Sequence, residues 1–192
     1  MKKPRRPFAE HRLRLDALVG EAQWLWKALP RHQRLMIGLV RALLAVLAAS
    51  LGYFGARSLG LQQGYWAAIT AISVSQSSYI DVRSSSRDQF LGAVIGGLIG
   101  MAVATLGHDR YLTYVLAVTI GMVLCSVFDL GAAGRISGIT TTIIMLVPQH
   151  GAFWQIALFR LGEVTLGATA ALLVSALFNA LERRLFGAPP TT

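Results

Sequence analysis

Within the run LFRLGEVTLGATAALLVSALF, from Leu158 to Phe178, two side chains are out of keeping with their apolar surroundings: Arg160 and Glu163. Spaced three residues apart, they share one side of a helix, with Gly167 a turn beyond Glu163. A charge at the bilayer centre costs at least about 2.5–3.5 kcal/mol on insertion scales, so the pair must point into protein or into water. Two kinds of chemistry fit. The two groups can neutralise one another as a structural ion pair near the outer end of the segment. Alternatively, Arg160 offers a fixed positive charge and a forked donor to an anion in transit, with Glu163 orienting it. Arg83 and Arg87 fall at the cytoplasmic mouth of an earlier apolar segment, so positive charge guards both ends of such a path. Rings of Arg or Lys are how anion pores select their ions.

Hydroxyl and amide groups extend the candidate lining. Thr70, Ser73 and Ser77, at i, i+3 and i+7, share one helical face with Gln76 alongside, and ISGITTTIIMLVP supplies Thr140 and Thr141. Any one Ser or Thr in a membrane helix commonly bonds a carbonyl of its own helix or a neighbour, so the stripe matters more than its members. The expected substrate-binding set is therefore Arg160, Glu163, Arg87, Arg83, Thr70, Ser73, Ser77, Gln76, Thr140 and Thr141. Gly92, Gly96 and Gly100, spaced by four, strip one helical face of bulk and let a neighbour approach at backbone distance, and Gly167 is assigned the same packing role.

Catalysis has little to work with. His11, His32, His108 and His150 are scattered without metal-ligand spacing, no paired carboxylates share a helix turn, and no P-loop is present. The chain is read as a non-enzyme with no metal and no cofactor. Cys125 is the single cysteine and lies in an apolar run, so no intrachain disulfide can form.

The elements that must hold these residues follow from hydropathy. Of 192 residues, 54% are hydrophobic and 14% charged, with a mean hydropathy of +0.54, too apolar for an ordinary soluble domain. Apolar runs bounded by charge, Gly or Pro predict six transmembrane helices, at 35–55, 64–80, 90–106, 111–128, 135–148 and 153–179. The fold class is an all-α membrane protein, arranged as residues 1–34, a basic cytoplasmic segment; 35–179, the six-helix domain; and 180–192, a short cytoplasmic tail. Arg41, near the start of the first span, can snorkel to the headgroups. The stretch Phe8 to Leu29 interleaves apolar and charged residues and predicts an interfacial helix with Trp24 and Trp26 at headgroup depth; a solvated basic tail is the alternative.

The net charge of +9 would suggest nucleic acid in a soluble protein, but here it fixes orientation and no nucleic-acid partner is expected. With the N-terminus inside, fourteen Lys or Arg fall on the cytoplasmic side and only Arg57 and Arg110 outside. An even number of spans places both termini in the cytoplasm.

The two halves echo one another. A shift of 70 aligns AAITA, from Ala67, with SGITT, from Ser137, and a shift of 75 aligns DQFLGAVIGGL, from Asp88, with EVTLGATAALL, from Glu163. Three spans per copy would make the second copy inverted across the membrane. Spans two and five then correspond. Span five has only about 12 apolar residues, roughly 18 Å against a hydrocarbon core of roughly 30 Å, and short interrupted helices point to transport sites.

GYWAAITAISVSQ, then SRDQFLGAVIGGLIG, then FRLGEVTLGATAALLVSAL resemble the membrane domain of the fusaric acid resistance and aromatic acid exporter family, and distantly that of plant aluminium-activated malate transporters. The resemblance runs from Leu35 to Phe178 and rests on Trp66 and Thr70, Gly92 and Gly96, and Arg160 and Gly167. The chain departs from the family's Arg-x-x-Gly-Thr at the head of span three, carrying Gln89 and Ala93, with Arg87 two residues earlier. The resemblance implies a six-helix unit of the inner membrane that exports or conducts organic anions, often aromatic carboxylates, and pairs with a second unit. This chain carries one such unit, so a homodimer is expected. The expected partners are the lipid bilayer and a small organic anion; a periplasmic adaptor is left open. The alternative function is a non-transporting membrane scaffold or assembly subunit.

Overall fold

The structure is a computed structural model and describes residues 30–75, 79–104, 110–147 and 153–186. Among them are six helices and no strand: α1 (Arg31–Ser58), α2 (Tyr65–Val74), α3 (Tyr79–Ala104), α4 (Arg110–Val127), α5 (Ala133–Leu146) and α6 (Phe153–Phe186). The segment Phe8 to Leu29 lies outside the described residues, as do Gln76 and Ser77. The chain divides into two units, Met1–Ala42 and Leu43–Thr192. The described part of the first is the opening of α1, whose first turn is set by Gln33 and Arg34 N–H donating to the Pro30 carbonyl at 3.1 and 3.2 Å.

By length and composition three helices, α1, α3 and α6, can cross a membrane. At 1.5 Å per residue the 10 residues of α2 reach only about 15 Å and the 14 of α5 about 21 Å. Each of these short helices follows a turn of the same design. At the end of α1, Leu61 N–H donates to the Ala56 carbonyl and Gly60 N–H to that of Arg57, with Gly60 at φ +80. At the end of α4, Leu130 N–H donates to the Cys125 carbonyl and Asp129 N–H to that of Ser126, with Asp129 at φ +50. Both are Schellman caps: a left-handed residue reverses the chain and an apolar leucine follows it.

Several element boundaries differ from the sequence reading: α1 is longer at both ends than 35–55, α6 runs on to Phe186 rather than ending at 179, and two further differences bear on the expected site. α2 stops at Val74 rather than continuing to 80, because Ser75 turns extended and its hydroxyl bonds the Ala71 carbonyl at 2.7 Å. α3 begins at Tyr79 rather than near 90, so Arg83 and Arg87 stand on helix, not in a loop. A helix that emerges from hydrocarbon keeps its backbone bonds and accepts charge, which a search for apolar runs does not anticipate.

The second unit is built inside out relative to a soluble domain. More than half of its buried apolar positions are alanine, among them Ala48, Ala67, Ala71, Ala93, Ala117 and Ala133. Among the described residues no buried side chain is larger than Ile apart from Arg160 and Glu163, whereas Phe54, Ile80, Leu98, Leu116, Phe128 and Leu177 are exposed. Large side chains outside and small ones between helices suit a lipid solvent, in which close backbone approach supplies the packing energy. α3 packs against α4, α5 and α6, α2 against α6, and α4 against α5.

Two junctions recur within this unit. At one, Gly52 of α1, Ala67 of α2 and Gly167 of α6 meet: a Cβ on Gly167 would strike the Ala67 carbonyl oxygen, and one on Gly52 would lie 3.2 Å from the same atom. At the other, Gly121 of α4, Ser137 of α5 and Gly96 of α3 meet: a Cβ on Gly96 would strike the Ser137 carbonyl oxygen, and one on Gly121 would lie 2.6 Å from Ser137 Oγ.

Candidate functional site

α6 carries Arg160 and Glu163 on the face turned toward α2, seated by Gly167 on the Ala67 backbone. Both side chains are buried, at 5% and 3% exposure. They are held close but not joined: Arg160 Nη1 and Glu163 Oε2 lie 4.0 Å apart, too far for a hydrogen bond. Arg160 Nε and Nη1 are buried without a hydrogen-bond partner. The guanidinium lies over the Trp66 ring, 4.6 Å from its centroid, and the indole is fixed in turn by donating Nε1–H to Gln63 Oε1 at 3.0 Å. Stacking satisfies one face of the cation and leaves Nε and Nη1 without an acceptor.

A cavity of ≈ 350 Å³ opens beside this cation. It is lined by Arg160, Glu163, Trp66, Phe159 and Ile143, by Gln62 and Gln63 leading into α2, and by Gln155 of α6. Exposed Arg57 donates from Nη1 to the Gln62 carbonyl at 3.2 Å and so ties the end of α1 to the cavity's rim.

The other residues singled out in the sequence lie elsewhere. Thr70 is buried beneath Gly167, and Ser73 donates to the Thr70 carbonyl at 2.9 Å while accepting from Gln89 Nε2 at 3.0 Å. Thr141 is fully buried and donates to the Gly96 carbonyl at 3.1 Å; Thr140 and Ser137 are buried with their hydroxyls unpartnered. Arg83 and Arg87 are exposed on α3. None of these lines the cavity. Gly92, Gly96 and Gly100 face α5, at Ile136, Ser137 and Thr141. Asp88 of α3 accepts the Ala132 N–H at 3.1 Å and so caps the start of α5, whose own N-cap residue has no capping side chain.

Three cavity glutamines and Phe159 were not picked out by sequence reasoning, because no spacing rule links a loop before α2 to the first turns of α6. Among the described residues, an all-helical bundle with an apolar exterior is the architecture of a membrane protein, and a buried arginine stands at the wall of its cavity. The chain belongs to the fusaric acid resistance protein-like family, whose sequence profile matches residues 44–174. Inner membrane protein YccS of Escherichia coli (strain K12) is 25% identical over 148 residues, covering 77% of this chain and 21% of that protein. The chain thus spans about a fifth of the length of the curated relative it matches. No solved structure matches.

Proposed function

We propose that the chain is a unit of an inner-membrane exporter of small organic anions, aromatic carboxylates among them, in which Arg160 is the cation that binds the anion. The observation carrying this reading is the state of that side chain: 5% exposed at the wall of a ≈ 350 Å³ cavity, with Nε and Nη1 buried and unpartnered. A buried charge is retained at such cost only where something compensates it, and Glu163 at 4.0 Å does so incompletely. An arriving carboxylate supplies the missing acceptors.

The two small-residue junctions and the two Schellman turns support an inverted repeat of α1–α3 and α4–α6. In that repeat Gly52 corresponds to Gly121, Ala67 to Ser137 and Gly96 to Gly167, at shifts of 69 to 71 residues. Short helices at equivalent places in each half, α2 lending Trp66 and α5 Ile143 to the cavity wall, are the arrangement in which transporters bind substrate. Six spans with both termini in the cytoplasm fit the distribution of Lys and Arg, and place the cavity toward the periplasm. The matched relative is an inner membrane protein, which supports that membrane for this chain. A pair of such units, as the family resemblance implies, forms the path.

The test is a strain lacking the protein, challenged with a panel of aromatic and aliphatic carboxylates and rescued with wild type or Arg160→Gln. Rescue by wild type alone supports the reading. Equal rescue by both removes Arg160 from it, and rescue by neither, with the chain copurifying in one membrane complex, favours a scaffold.

A further inference from the structure

The cavity holds one group that attracts an anion and one that repels it. Among the described residues lining it, only Arg160 and Glu163 carry charge, and their nearest atoms are 4.0 Å apart. A carboxylate that meets the guanidinium from the cavity therefore comes to rest within a few ångströms of the Glu163 carboxylate. Two anions against one cation, all within a few ångströms, repel one another. The N-terminus of α2 adds only a partial positive charge. With Glu163 ionised, a simple monoanion leaves the occupied site one charge short of balance.

Resting on the reading of Arg160 as the anion-binding cation, we propose that the cavity takes a dipolar ligand: a small amphipathic molecule bearing both a carboxylate and a protonated amine, as amino acids do. Its carboxylate meets Arg160 and its ammonium meets Glu163, so the ion pair opens to admit a second, complementary pair. The separation of the two protein groups suits this exchange, because they are near enough to receive adjacent substituents of one carbon and are not hydrogen-bonded to each other. Trp66 keeps the guanidinium plane from turning away, being itself held by Gln63. Phe159, Ile143 and Ile156 receive the apolar body, and Gln62 and Gln155 give a polar rim. A volume of ≈ 350 Å³ is at the small end of ligand pockets, about 300–1,000 Å³, which limits the ligand to a single ring system.

The test is calorimetric binding to the purified full-length protein with three matched probe sets. These are phenylalanine, 3-phenylpropionate and phenethylamine; tryptophan, indole-3-propionate and tryptamine; and leucine, 4-methylpentanoate and isoamylamine. In at least one set the amino acid is expected to bind roughly ten- to a hundred-fold tighter than both partners that lack one charge. Glu163→Gln should bring the amino acid down to the level of the plain acid without weakening the latter. If that variant does not fold, the wild-type comparison decides alone. A plain acid that binds as tightly as its amino acid in every set, and is lost in Arg160→Gln, overturns the dipolar ligand and leaves the anion site standing. Binding unaffected by Arg160→Gln, or no binding in any set, overturns both.

Discussion

Replacing Gly96 by alanine probes the packing that positions the site. The new Cβ would strike the Ser137 carbonyl oxygen and come within 2.9 Å of that residue's Cα and carbonyl carbon. These are backbone atoms, so no rotamer change relieves them and α3 must part from α5. At Gly92 the clash is with Ile136 Cβ at 2.5 Å and the Ala133 carbonyl oxygen at 2.6 Å; ordinary contact begins at 3.4 Å, so the helices must separate by about 0.9 Å. Overfilling a packed interior costs about 1–3 kcal/mol, which in a chain of this size corresponds to about 2–12 °C of melting temperature. Gly167→Ala is expected to behave like Gly96→Ala, because its Cβ would meet the Ala67 carbonyl oxygen and lie 2.8 Å from Thr70 Cβ. Gly52→Ala should cost less, its nearest neighbour lying at 3.2 Å. Gly55 has nothing within 4 Å of a new Cβ, and alanine there should raise the midpoint through a helix-propensity gain of up to about 1 kcal/mol. The protein carries its own reporter: Cys125 is the single cysteine and is 2% exposed, so a thiol-reactive dye reads the opening of the bundle on heating. Gly96→Ala and Gly167→Ala melting with the wild type, or Gly55→Ala melting below it, would refute these helix contacts.

Three other outcomes follow from the same geometry. Asp88→Ala removes the acceptor for Ala132 N–H at the start of α5 and should cost about 0.5–2 kcal/mol, seen as earlier Cys125 labelling, while Asp88→Asn keeps most of the stability. Trp66→Ala removes the ring beneath Arg160 and should weaken binding of carboxylate probes by roughly two- to thirty-fold, measured by calorimetry; unchanged affinity would mean that the stacking does not hold the cation in place. In a Cys125→Ser background, an impermeant maleimide added to intact cells should label Ser58→Cys and spare Arg183→Cys, and the reverse pattern would overturn the proposed orientation.

The helical character of the chain is legible because apolar runs broken by Gly, Pro and charge stand out against so uncharged a background. Helix ends are less legible. Ser75 ends α2 through its own backbone turn, and nothing in the spacing of Thr70, Ser73 and Ser77 signals that. The charged stretch after Tyr79 reads as a loop by hydropathy, although a helix leaving the hydrocarbon needs no apolar residues there. At the site, Arg160 and Glu163 announce themselves as charges in an apolar run. Their setting does not: Trp66 stacks on Arg160, and Gln63 steadies it, only because α2 and α6 meet at Ala67 and Gly167, a contact between residues a hundred positions apart. Asp88 is visible as a partner of Glu163 in the internal echo, but its capping of α5 depends on the turn at Asp129 to Gly131, where a non-glycine residue takes the left-handed conformation.

The central claim is that Arg160 binds the transported anion instead of serving only to balance Glu163. The direct measurement is uptake of a radiolabelled carboxylate by proteoliposomes holding equal amounts of wild-type protein or Arg160→Gln, with Cys125 protected in both. Uptake above protein-free vesicles by wild type, and none by the variant, is the predicted result. Equal uptake by the two would contradict it.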